Sequence, residues 1–318
     1  MTEEPYLDRV LTMELGRCTE AAAIAASKMI GRGDKEGADQ AAVTALREAF
    51  NKLEMDGTVV IGEGERDEAP MLYIGEKVGT GAGPKIDIAL DPLEGTTLTA
   101  KAMANALAVV AMAQGGTLLH APDVYMDKIA CGPGFPDGMI DLDAPAEDNI
   151  IALAREKQVD PSEITICVLD RERHDAIIAG ARKVGARVFL IPDGDVAGVF
   201  HTTEAATGID MYIGRGGAPE GVLAAAALRC VGGQMQGRLH FRNDDERGRA
   251  ERVGITDLGR KYDLMDLASG DVMFAATGVT NGTMLDGVRW EPGFVSTHTV
   301  VMRSRTGTMR YVRAKTRR

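Results

Sequence analysis

Ile86-Asp87-Ile88-Ala89-Leu90-Asp91-Pro92-Leu93-Glu94-Gly95-Thr96 reads as an apolar strand that delivers acids to its end. Ile86 to Leu90 has the character of a buried strand. It is expected to stop at Asp91-Pro92, because proline has no N–H to give to a ladder. Pro92 presets a turn, and Glu94 follows three residues after Asp91. That spacing can put two carboxylates on one side of a bend, within reach of a shared divalent cation. Gly95 lets backbone approach a ligand closely, and the amides of Gly95 and Thr96 can form an anion-binding nest beside the Thr96 hydroxyl. The bland alternative is a strand-to-turn connection with polar caps.

Upstream, Val59-Val60-Ile61-Gly62-Glu63-Gly64-Glu65 repeats the design: a strand over Thr58 to Ile61 ends in acids on a glycine turn, with Arg66-Asp67-Glu68 following. A solvated acidic hairpin is its alternative. Earlier still, Leu7, Leu11, Leu15, Cys18, Ala22, Ala25 and Met29 fall three or four apart, the spacing of one buried helical face. Gly31 and Gly33 end that helix. Asp39 is expected to cap a second helix whose core face is Val43, Leu46, Phe50 and Leu53, with Lys35 in the lead-in. Leu107–Met112 and Thr117–His120 read as further strands, giving an α+β half with helices on one side. Gly and Pro concentrate between Gly132 and Pro145, so the expected division is residues 1–145 and 146–318.

Beyond that point strands and helices alternate: strand Ile164–Leu169, helix Asp175–Val184, strand Arg187–Ile191, a helix near Val196, strand Met211–Ile213, helix Gly221–Val231. Alternation implies a parallel sheet with helices packed on it, and such sheets bind ligands at the carboxyl ends of their strands. Asp170-Arg171-Glu172-Arg173, Asp193-Gly194-Asp195 and Arg215 through Glu220 occupy those ends. Glu220 precedes a helix, so plain compensation of the helix dipole is an alternative there. Leu239 to Arg252 reads as a charged surface excursion. Val272–Ala276, Val295–Met302 and Met309–Val312 read as closing strands.

Composition narrows the chemistry. The 318 residues carry 36 Lys and Arg against 47 Asp and Glu, a net charge of −11, which excludes the footprint of a nucleic-acid binder. Aromatics are 4% of the chain, too few for base-stacking platforms. Four scattered cysteines without a CxxC suit a reducing cytoplasm, and five isolated histidines do not make a zinc site. No stretch reaches the length of a membrane span or a signal peptide. P-loop and GxSxG motifs are missing. Two carboxylates about 4 Å apart repel by roughly 4 kcal/mol at an effective dielectric near 20, so several converging acids call for cations. All-oxygen ligation suits Mg²⁺ or Mn²⁺, and those cations let an acidic protein hold a phosphate. The expectation is metal-assisted hydrolysis of a phosphate ester.

Gly62 through Gly75, Asp91-Pro92-Leu93-Glu94-Gly95-Thr96, Ala121 through Tyr125, Arg173-His174-Asp175, Pro192 through Asp195 and Gly216 through Gly221 together resemble the bacterial class II fructose-1,6-bisphosphatases. The match runs in order from about Gly31 to Gly237 and resumes at Val272 through Gly278, while Phe241 to Leu267 follows the pattern poorly. The resemblance implies the lithium-sensitive sugar-phosphatase fold, an α+β half beside an α/β half. It places metal ligands on Asp39, Glu63, Asp91, Glu94 and Glu220, drawing acids from both halves around cations. It places the residue that helps activate the attacking water on Thr96, with Glu63 and Asp39 counted beside it as catalytic. Substrate contacts fall on Glu94, Gly95, Thr96, Tyr125, Arg171, Glu172, Arg173, Asp193, Gly194, Asp195 and Gly217. The implied reaction removes the 1-phosphate of fructose 1,6-bisphosphate, with sedoheptulose 1,7-bisphosphate as a further substrate. The implied protein is a cytoplasmic homodimer or homotetramer with no nucleic-acid or membrane partner. An inositol- or nucleotide-type monophosphatase and a non-catalytic sugar-phosphate binder are the rival readings.

Overall fold

The computed structural model describes residues 9–64 and 71–318. The expectations placed on Leu7 and on Glu65 through Glu68 lie outside these residues. In chain order the elements are α1 (Arg9–Ser27), α2 (Lys35–Phe50), β1 (Asp56–Ile61), β2 (Lys77–Val78), β3 (Lys85–Glu94), α3 (Thr96–Ala100) and β4 (Leu107–Gln114). Then come β5 (Tyr125–Cys131), α4 (Ala146–Lys157), β6 (Thr165–Leu169), α5 (Asp175–Lys183), β7 (Arg187–Ile191), α6 (Asp195–Phe200), β8 (Met211–Gly217), α7 (Ala218–Val231), β9 (Gln234–His240), α8 (Asp244–Arg252), β10 (Lys261–Asp263) and α9 (Leu264–Leu267). The chain closes with β11 (Val272–Gly278), β12 (Arg289–Glu291), β13 (Phe294–Arg303) and β14 (Thr308–Arg317). The architecture is mixed α and β, with two sheets and packed helices, as expected.

The chain divides into Met1–Leu119 with Ala268–Arg318, and His120–Leu267. The break expected at residue 145 is therefore misplaced. The Gly- and Pro-rich stretch lies inside the second unit, because β5 precedes it and pairs with β8 and β9. The last strands return to the first unit, where β11 pairs with β4.

In the first unit the sheet runs β12-β13-β11-β4-β3-β1-β2, with β14 on β13. Among the described strands here only β1 and β3 are parallel neighbours. Leu11, Leu15, Cys18, Ala22 and Ala26 of α1, with Ala42, Leu46 and Phe50 of α2, pack on Ile86, Ile88 and Leu90 of β3 and Ala108, Val110 and Met112 of β4. The alanine-rich face of α1 thus serves this core. Strand β3 does not stop at Asp91-Pro92. It continues to Glu94 through a bulge: Asp91 lies opposite Val109, and Glu94 opposite Leu107. Pro92 sits in that irregularity, where its missing N–H breaks no ladder bond. Thr117–His120 is not a strand, apart from one bridge from Leu118 to Ala268. Backbone N–H groups at its start instead serve Asp87, whose Oδ2 accepts from Thr117 (3.0 Å) and Leu118 (3.3 Å) and from the preceding Gly116 (2.7 Å).

The second unit has the order β10-β9-β5-β8-β6-β7. The alternation anticipated its parallel part, β7-β6-β8. β5 and β9 are antiparallel additions that alternation could not reveal. Ile150 and Leu153 of α4 and Ile178 and Ala181 of α5 cover Ile129, Ile166, Val168 and Met211. The expected surface excursion from Leu239 to Arg252 is the end of β9 and the helix α8.

Candidate active site

Because β1 and β3 are parallel, their carboxyl ends lie at the same edge of the first sheet. Ile61 is followed by Gly62 and Glu63. A Cβ on Gly62 would sit 2.2 Å from the Leu72 carbonyl oxygen, so only glycine lets the chain fold back here. The turn is fastened by Glu63 N–H donating to Leu72 O (3.0 Å) and Ile74 N–H donating to Gly64 O (2.8 Å). From β3 come Asp91, whose Oδ1 accepts the Leu93 N–H (3.0 Å), and Glu94, which is buried. Residues paired across antiparallel strands face the same way, and Val109 and Leu107 are two apart on β4. The bulge therefore turns Asp91 and Glu94 to a common face, where an unbroken strand would oppose them. Gly95 follows in the left-handed region (φ +85°), and Thr96 opens α3 half-buried.

Asp39 reaches this edge from α2, and its expected role as a cap is wrong. The N-cap is Asp34, which accepts from Gly37 N–H at 2.8 Å. Asp39 is half-buried inside the helix, and Lys35 is its exposed first residue. Gly31 N–H donates to Thr99 O (2.9 Å) and Gly33 N–H to Ala100 O (3.0 Å), which tie the start of α2 to α3. The Asp39 carboxyl is pushed up to about 6, first by burial and then by the charge of Asp91, against a hydrogen bond with Glu63 that acts to lower it. Asp39 thus senses both Asp91 and Glu63.

Among the described residues no three His, Cys, Asp or Glu side chains form a ready-made cation cage. The donor chemistry nonetheless fits a hard divalent cation. The donors are carboxylate oxygens, and Asp39 resists ionising beside Asp91, a penalty that a cation relieves. Asp39, Glu63, Asp91 and Glu94 are the residues of this unit that would hold it.

In the second unit the ends of β6, β7 and β8 carry the expected polar groups. Arg171, Glu172 and Arg173 are exposed. Arg171 donates from Nη1 to Asp170 O (2.8 Å) and from Nη2 to Pro192 O (2.7 Å). Arg173 donates from Nε (3.2 Å) and Nη2 (2.8 Å) to Arg215 O. His174 locks this loop: Arg215 N–H donates to its Nε2 (2.8 Å), so Nδ1 carries the proton donated to Leu169 O (2.8 Å). Burial, then the neighbouring arginines, hold this ring below the ordinary histidine range.

Asp193 is half-buried, and Gly194 takes the left-handed conformation (φ +83°). Asp195 differs from Asp193, Arg171, Glu172 and Arg173 in the expected substrate set. It is buried, and its Oδ2 is engaged by Lys128 Nζ and by Tyr212 OH (3.4 Å). Lys128, only 1% exposed, also donates to Gly217 O (2.8 Å). The sequence expectations do not include it, although a lysine within Met126–Cys131 signals a buried partner. The Gly216-Gly217 pair has a steric cause. A Cβ on Gly216 would meet Asp195 Oδ2 at 1.8 Å, and one on Gly217 would meet Glu220 Oε2 at 1.8 Å. Glu220 is half-buried in the first turn of α7. A cavity of about 240 Å³ on the β12-β13-β14 face, with Asp286, Arg289, Glu291 and Arg313 among its lining, contains none of the expected site residues.

Among the described residues no helix is long and apolar enough to cross a membrane. The model of the bacterial, glpX-encoded fructose-1,6-bisphosphatases matches residues 9–316, and so includes the stretch Phe241–Leu267 that the motifs followed poorly. The chain is 46% identical, over 96% of its length and 95% of the relative's, to fructose-1,6-bisphosphatase 1 class 2 of Escherichia coli K12. The same identity and coverage hold for the class 2 enzyme of Shigella flexneri. With the motif-bearing strand ends and this match over nearly its whole length, the chain belongs to the glpX-type family of bacterial fructose-1,6-bisphosphatases.

Proposed function

We propose that this chain hydrolyses the 1-phosphate of fructose 1,6-bisphosphate, giving fructose 6-phosphate and phosphate, a gluconeogenic step. The family match carries the reaction, and the face shared by Asp91 and Glu94 at the end of β3 carries its chemistry.

The divalent cation is Mg²⁺ or Mn²⁺, held by Asp39, Glu63, Asp91 and Glu94, with Glu220 proposed as a further ligand. When bound it supplies charge neutralisation at the phosphoryl oxygens and a more acidic water. The Thr96 hydroxyl orients the attacking water from the start of α3. Asp39 and Glu63, joined by a hydrogen bond when no cation is held, flank it as ionised carboxylates once the cation binds. Glu94, Gly95 and Thr96 contact the phosphate being cleaved. Tyr125, Arg171, Glu172, Arg173, Asp193, Gly194, Asp195 and Gly217 receive the rest of the substrate. Arginine suits the phosphate that stays, through charge-assisted hydrogen bonds, and carboxylates suit the sugar hydroxyls.

A cytoplasmic site of action accords with four free, buried cysteines, of which Cys18, Cys131 and Cys167 have thiols pushed up to about 12 by burial. Sedoheptulose 1,7-bisphosphate as a second substrate, and assembly as a homodimer or homotetramer, rest on the resemblance alone.

The test is phosphate release from both ketose bisphosphates with Mg²⁺ and Mn²⁺ titrated, with fructose 6-phosphate identified as the other product. Failure to release phosphate from fructose 1,6-bisphosphate with either cation would overturn the proposal.

A further inference from the structure

The segment after β9, which follows the family motifs least well, brings an arginine to Tyr125. Tyr125 lies opposite His240 of β9, and the chain continues two residues to Arg242. The Arg242 guanidinium carbon is 4.9 Å from the Tyr125 ring centroid, and that of Arg173 is 5.1 Å from it. One aromatic ring therefore gathers two cations from separate loops.

Arg242 is aimed by a carboxylate. Glu246 is fully buried, and its Oε2 accepts the Arg242 backbone N–H (2.6 Å) while Oε1 accepts Nε and Nη2 (both 2.5 Å). Asn243 caps α8 by accepting Glu246 N–H at 2.9 Å, which fixes where that carboxylate sits. A carboxylate loses much hydration on burial and is tolerated only when fully paired. This one is bound most closely by an arginine whose own side chain stays 56% exposed, with Arg249 Nη2 farther off at 3.9 Å.

Arg215 shows the contrast. Its Nε and Nη2 are bound to Asp127, and its Nη1 to His240, so each of its three nitrogens has a partner within the protein. Among the described residues, Nη1 of Arg173 and Nη1 of Arg242 make no hydrogen bond to protein.

We propose that Arg242 is a second arginine for the substrate phosphate that is not cleaved, acting with Arg173 beside Tyr125, and that Glu246 is the residue that positions it. This rests on the reading of the second unit as the sugar-phosphate half of a fructose-1,6-bisphosphatase.

The test compares wild type with Arg242→Ala, Arg242→Lys and Glu246→Gln. It measures steady-state kinetics on fructose 1,6-bisphosphate and calorimetric binding of fructose 6-phosphate, which carries only the retained phosphate. A lost charge-assisted contact predicts that Arg242→Ala raises KM and the fructose 6-phosphate Kd together, by on the order of 10- to 100-fold. kcat falls by less than KM rises, and inhibition by inorganic phosphate is unchanged. Arg242→Lys recovers part of the loss. Glu246→Gln, where it melts as wild type does, shifts KM in the same direction by a smaller factor. Unchanged KM and Kd in Arg242→Ala, or a fall in kcat alone, would overturn the role of Arg242. A wild-type protein that neither hydrolyses the bisphosphate nor binds fructose 6-phosphate would instead overturn the functional reading beneath it.

Discussion

Asp91 and Glu94 lie opposite Val109 and Leu107, residues two apart on the neighbouring strand, although they are themselves three apart in sequence. The extra residue between them is what makes two carboxylates neighbours on one face. If that geometry serves cation binding, Asp91→Asn and Glu94→Gln each lower phosphate release by at least about 100-fold, the scale on which a charge-stabilising group acts. The same variants keep the wild-type melting curve, because neither side chain is part of the apolar core. Near-wild-type turnover in either variant would sink this assignment.

Thr96 opens α3 directly after left-handed Gly95, so its hydroxyl is held where the strand ends. Thr96→Ala is expected to lose about 10²- to 10⁴-fold in kcat, as for a group that assists proton transfer to or from water. Thr96→Ser, which keeps the oxygen, retains most of the rate. Rate measurements on the pair decide whether the hydroxyl or only the shape matters.

Lys128 and Asp195 form a buried pair beneath the ends of β7 and β8. Lys128→Met strands the Asp195 carboxylate, and urea unfolding should show a loss of about 3–5 kcal/mol. Adding Asp195→Asn removes the stranded charge and restores a large part of it. A single variant as stable as wild type would show that the pair does not hold these loops.

His201 is buried, its Nδ1 has no hydrogen-bond partner among the described residues, and burial pushes its pKa from 6.5 down to about 4. The unfolded chain therefore takes up this proton first. Stability is complete above pH 6.5 and is lost as pH falls from there to about 4, by about 3 kcal/mol from this residue. Urea midpoints between pH 7 and 4.5 should fall less steeply for His201→Gln than for wild type. Parallel curves would contradict the assignment.

Much of this was legible in the sequence. Apolar runs ending in acids located β1 and β3, and alternation located β6, β7 and β8, because both signals are carried by a few adjacent residues. The bulge at Pro92 was not legible, since it depends on what β4 offers opposite. Nor was the true N-cap: Asp34 and Asp39 are both plausible from composition, and only Gly37 N–H chooses between them. The division at residue 145 was misread because composition marks flexible stretches, whereas strand pairing decides which unit owns them. Lys128 and Glu246 were missed because their partners, Asp195 and Arg242, come from other elements.

The central claim is that the carboxylates at the ends of β1 and β3, with Asp39 from α2, hold the divalent cation on which hydrolysis depends. It is tested most directly by the rate of phosphate release from fructose 1,6-bisphosphate as Mg²⁺ or Mn²⁺ is returned to chelator-treated protein, for wild type and Asp91→Asn side by side. The account predicts no turnover after chelation, recovery with added cation, and a midpoint at least about 10-fold higher in the variant. Full turnover after chelation, or identical midpoints for the two proteins, would contradict it.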